Sequence, residues 1–144
     1  MIFSAGGVDF EIPDEWWAAA GMEAFATSRT GYRRHLPTNP DLMNVILSVK
    51  EIGVAPRGHG VPDFERDRML SVFDAFSREL ALPPIEVVEA NRKGYRYWLY
   101  HGRHRLAASI AVGFSVVPGV IVRSLDEIKR SERITNAADR AKQS

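Results

Sequence analysis

The chain has 144 residues, 45% of them hydrophobic, enough for one domain with a filled core. Its 19 basic and 18 acidic residues leave a net charge of +1, so no whole-molecule attraction to nucleic acid is implied and any electrostatic site has to be local. The lack of cysteine removes disulfides, thiolate metal sites and thiol nucleophiles together, and no apolar run approaches the roughly 18 residues of a membrane span.

In chain order, Met1 to Pro13 reads as a short hairpin about Gly6-Gly7, because Val8, Phe10 and Ile12 alternate at the strand period. This start lacks the basic flank and apolar length of a signal peptide, so a cytoplasmic protein without membrane partners is expected. Pro13 suits the first position of a helix, Asp14 and Glu15 favour its dipole, and Gly21 ends it after Trp16 and Trp17. These tryptophans read as core, or with Phe25 as a contact for a protein partner. Tyr32 to Asp41 has the prolines and polar residues of a mobile loop.

Val45, Leu47 and Val49 alternate as a strand, which runs into a loop with Pro56, Arg57, Gly58, His59 and Gly60. The next helix has Pro62 near its start. Met69, Leu70, Val72, Phe73, Phe76 and Leu80 fall on one stripe, with Arg66, Arg68 and Asp74 largely outside it. Pro83-Pro84 stops this helix, Ile85 to Glu89 is a strand, Asn91 to Gly94 a turn, and Tyr95 to Tyr100 the returning strand. A helix from about Arg103 ends at Gly113, Val116 to Val122 is a β-branched strand broken by Pro118-Gly119, and a last helix runs from Leu125 to a fraying tail at 136–144.

One stretch stands out. Gly102-Arg103-His104-Arg105 opens a helix with two arginines, although the first turn of a helix carries a partial positive charge and about four N–H groups without partners. Something negative must compensate. It is either a ligand such as a phosphate, which glycine lets approach the backbone, or a structural network with Glu65, Asp67 or Glu86. His101 and His104 have the spacing of a metal pair, but no third ligand is marked and no metal site is expected.

The run 45–122, a little over half the chain, resembles the ParB/sulfiredoxin superfamily. The resemblance rests on "VKEIGVAPR", then "LPPIEV", and above all "YHGRHRLAASIAVGFSVVPGVIV". It implies an α+β fold with a mixed, partly open barrel-like sheet in β-α-β-β-α-β-α order, residues 1–44 forming an N-terminal extension of a single domain 1–144. It also implies a nucleotide, ATP or CTP with Mg2+, whose phosphates sit at Gly102, Arg103, His104 and Arg105, with Arg57 reaching the same cleft. Arg103 departs from the family. Sulfiredoxins place a catalytic cysteine there and partitioning proteins a glutamate, so sulfiredoxin chemistry is not expected, while a nucleotide-dependent phosphotransferase, an NTPase or a nuclease stays open. A carboxylate such as Asp63 or Glu65 would then serve as base or metal holder. Nucleic acid stays a possible partner, but a helical DNA-reading region like that of partitioning proteins is not expected. The alternative is a non-catalytic interaction protein, a partner of a nuclease, toxin or partition system.

Overall fold

The computed structural model describes residues 2–35, 43–58, 60 and 62–122. The expected last helix from Leu125, the tail at 136–144, His59 and the end of the 32–41 loop lie outside the described residues. Ten elements follow in order: β1 (Ile2–Ala5), β2 (Val8–Glu11), α1 (Asp14–Ala19), β3 (Met43–Ser48), β4 (Ile52–Gly53), α2 (Arg66–Ser77), β5 (Ile85–Arg92), β6 (Tyr95–His101), α3 (Arg103–Ala111) and β7 (Val116–Ile121). β1 and β2 form their own antiparallel sheet, and the other strands form a mixed sheet in the order β3-β7-β5-β6-β4. β7 lies antiparallel to β3 and parallel to β5, β5 antiparallel to β6, and β4 parallel to β6. The sheet is open, with β3 and β4 as its two edges.

The fold is thus α+β, and the strands expected at Val45, Ile85, Tyr95 and Val116 share one sheet. Its principal hairpin turns on Lys93 and Gly94, whose φ values of 53° and 86° are both positive, as a tight two-residue turn needs to match strand twist. α2 and α3 pack on each other, and Met69, Phe73, Leu106 and Ala107 are buried in the common core. Among the described residues no helix is long and apolar enough to cross a membrane.

Several boundaries move, each for a local reason. Pro13 keeps an extended conformation and precedes the helix, which starts at Asp14. Val49 leaves the strand for a 3-10 turn, where the Ser48 hydroxyl accepts the Lys50 N–H. α2 begins three residues beyond Asp63 and stops at Ser77, so Leu80 never joins the stripe and is 45% exposed. The cause is a Schellman motif: Glu79 takes φ 53°, and the N–H groups of Glu79 and Leu80 bond the carbonyls of Phe76 and Ala75. The same motif closes α3 with Gly113 in the left-handed position, as expected. Ile110 is only partly buried, whereas Leu106, Ala107 and Ala108 of α3 are buried in the core.

The N-terminal extension is built into this core. Phe10, Ile12, Met22 and Tyr32 belong to the same buried cluster as Ile85 and Leu106. Trp16, Trp17 and Phe25, the rings expected to offer a partner contact, lie partly buried against that cluster, and Trp17 meets Phe73 edge-on at 5.4 Å. The stretch 30–35 is anchored, contrary to the expected mobile loop: Thr30 accepts the N–H groups of Ser115 and Val116, and Arg33 and His35 bond the backbone of Leu82.

Candidate functional site

Gly102 alone joins β6 to α3. Its φ of 110° and ψ of 30° are left-handed, and a Cβ there would lie 2.7 Å from Ile85 Cγ2 and 3.1 Å from Arg105 Nη2. Glycine is therefore needed both for the turn and for the close approach to β5. Neither an acidic residue in the first turn nor a side-chain cap offsets the positive end of α3.

Around this helix start opens a cleft of about 700 Å³. Among the described residues, Arg57, Arg68, Arg103, Arg105, His101 and His104 line it, and no carboxylate does. All five residues expected at the site, Gly102, Arg103, His104, Arg105 and Arg57, thus meet on one cavity. The remaining wall is largely apolar, with Val72, Leu82 and Leu99, and Tyr100 adds a partly exposed ring tilted against His101 at 4.3 Å.

These cations differ in what already holds them. Arg103 is the most engaged: its side chain is 14% exposed, Nη1 donates to the Ala55 carbonyl at 2.9 Å, and Nη2 lies 3.5 Å from Asp63 Oδ1. Its guanidinium also covers the Phe10 ring at 4.7 Å, tying α3 to the N-terminal hairpin. Burial, and then the Arg57 charge, lower its pKa from the usual arginine range, with Asp63 acting against both. It remains a cation. The helix-start conflict at Arg103 is thus partly answered from within the protein, by Asp63. Nε and Nη2 of Arg103 are nevertheless buried without a hydrogen-bond partner.

Arg105 has no such answer. Its Nε is buried and unpartnered, and among the described residues neither Arg105 nor Arg57 pairs with a carboxylate. Behind Arg105, the Tyr32 hydroxyl donates to the Pro83 carbonyl at 2.7 Å; burial raises its pKa, while the Arg105 charge pulls the other way. Arg68 is exposed and only loosely paired, 3.8 Å from Glu65 Oε2.

His104 does something the sequence gives no sign of. Its Nε2 accepts the Glu65 backbone N–H at 2.8 Å, and Glu65 is the residue that caps α2 without a side-chain cap of its own. The ring lies edge-on to Phe64 at 5.3 Å. Burial, then the Arg68 charge, lower the imidazole pKa, and as the acceptor of a backbone N–H Nε2 carries no proton, which leaves the ring proton to Nδ1. His101 sits exposed at the end of β6, and among the described residues no group of three His, Asp or Glu is placed to hold a metal ion.

Arg68 and Tyr100 escaped sequence reasoning. Arg68 had a usable signal, because Arg66 and Arg68 put cations in the first turn of α2 just as Arg103 and Arg105 do in α3. Asp63 emerges as the partner of Arg103. Asp63→Asn should accordingly cost about 1–3 kcal/mol, the cost of leaving a largely buried cation less well paired. Urea denaturation at neutral pH measures it, and an unchanged midpoint would show that Asp63 does not hold Arg103.

Compared with protein-family models and with curated proteins, the chain matches none.

Proposed function

We propose that this chain binds a phosphate-bearing ligand, a nucleotide foremost, in the cleft at the start of α3. The observation that carries this reading is the charge of that cleft: among the described residues four arginines and two histidines line it and no carboxylate does, and a helix N-terminus opens onto it. Arg105 and Arg57 supply the charge that no acid among the described residues neutralises, and Arg68 adds to it from α2. Arg103 contributes Nε and Nη2 while staying tied to Ala55 and Asp63. The apolar walls and the Tyr100 ring suit the non-phosphate part of such a ligand.

The resemblance of 45–122 to the ParB/sulfiredoxin superfamily supports a nucleotide over a simple anion and makes ATP and CTP the first ligands to try. Magnesium fits this cleft as part of the nucleotide, since the described lining offers cations to the phosphates and no carboxylate to the metal.

Calorimetric titration of ATP, CTP and inorganic phosphate tests the proposal. Saturable binding of at least one nucleotide, weakening as salt rises, is the expected result. No saturable heat from any of the three at millimolar concentration would overturn it.

A further inference from the structure

We propose that His104 is a proton-operated latch between the starts of α2 and α3, and that its protonation both frees the α2 terminus and strengthens the anion site. The second half rests on the anion reading of the cleft; the first half does not. The geometry is specific. A ring nitrogen accepts a hydrogen bond only when it carries no proton, so the 2.8 Å bond from the Glu65 N–H to Nε2 exists only while His104 is neutral. A proton on Nε2 turns that acceptor into a donor facing another donor. The bond is lost, and α2 loses the one hydrogen bond from α3 that satisfies its cap residue.

The surroundings set the direction of the response. From α2, Arg68 and Glu65 face the imidazole; from the loop after β4, Arg57; from its own helix, Arg103, which is itself paired with Asp63. Burial, with Phe64 edge-on to the ring, and then three cations against one carboxylate hold the imidazole pKa below its ordinary value when no anion is bound. An anion among those cations reverses the balance, because it screens their repulsion and attracts a proton to His104. Proton uptake and anion binding then favour each other, by the reciprocity of linked equilibria.

The sign of the stability effect follows. With the folded-state pKa below the ordinary value of about 6.5, the unfolded chain takes the proton first. The contribution of His104 is therefore whole above roughly pH 7 and is lost as pH falls through 6.5 toward the folded value.

The test compares wild type with His104→Gln, whose side-chain carbonyl can accept the Glu65 N–H at any pH. Thermal melts of the empty proteins from pH 8 to pH 5.5 should diverge, wild type losing stability faster on acidification. Hydrogen exchange at the Glu65 amide of wild type, which needs no variant, should speed up over the same range beyond the intrinsic trend. Sulfate, a tetrahedral anion whose own charge is constant in this range, should bind wild type roughly tenfold tighter at pH 6 than at pH 8, and His104→Gln with little change. Parallel melts together with a Glu65 amide that keeps its protection would overturn the latch. If sulfate and nucleotides bind neither protein, the anion reading and the linkage fail, and the melts and exchange decide the latch by themselves.

Discussion

Replacing Gly102 by alanine is expected to cost about 2–6 kcal/mol. Two effects combine at this position. A side chain at φ 110° is strained by roughly 1–3 kcal/mol, and its Cβ at 2.7 Å from Ile85 Cγ2 forces a fully buried β5 residue to shift, which adds about 1–3 kcal/mol of overpacking. Against a total of about 5–15 kcal/mol for a typical domain, much of the stability goes. Gly113→Ala is the matched control: φ there is 90°, but nothing lies within 4 Å of the added methyl, so only the backbone strain of about 1–2 kcal/mol remains. Urea denaturation of both variants reads the difference. Equal losses would mean that the crowding against Ile85 is relieved at no cost, and that Gly102 serves the turn alone.

Local chemistry explains which parts of this molecule could be read from its sequence. Alternation and turn residues located the four principal strands and the β5–β6 hairpin, because each signal is carried by neighbours in the chain. Gly113 marked the end of α3 for the same reason, since the Schellman motif asks for glycine. The end of α2 was missed because Glu79, a residue that rarely takes positive φ, fills the same role there. At the site, Gly102, Arg103, His104 and Arg105 stand out by charge and helix polarity and Arg57 by the family resemblance, and all five line one cleft. What each one touches was hidden. The partners of Arg103 lie at Ala55, Asp63 and Phe10, and that of His104 at Glu65, contacts made by packing α2 and the N-terminal hairpin against α3. No pattern local to residues 102–105 encodes them. Sequence reasoning posed one question for both arginines, whether a ligand or an acid offsets them, and the answers differ: an acid for Arg103, and no acid among the described residues for Arg105.

That difference yields the second large effect. Removing the Arg105 guanidinium should take away one charge-assisted contact to a phosphate, worth about 1.5–3 kcal/mol, and so weaken ligand binding roughly ten- to a hundredfold. Stability should respond little. Among the described residues Arg105 has no carboxylate to leave unpaired, its buried Nε is already without a partner, and its charge opposes the helix dipole. Arg105→Met keeps most of the aliphatic stem, so packing lost with the side chain does not mask this result. Arg57→Ala should weaken binding less, because Arg57 is exposed to solvent.

The central claim, that Arg105 at the start of α3 waits for a phosphate and not for a protein acid, meets its most direct test in one paired measurement. ATP and CTP are titrated calorimetrically into wild type and Arg105→Met, and both unliganded proteins are melted in the same buffer. The account predicts saturable nucleotide binding to wild type, affinity at least tenfold weaker in the variant, and melting temperatures that agree closely. A variant that binds as wild type does, or one that melts well below it with no nucleotide bound by either protein, would contradict the account.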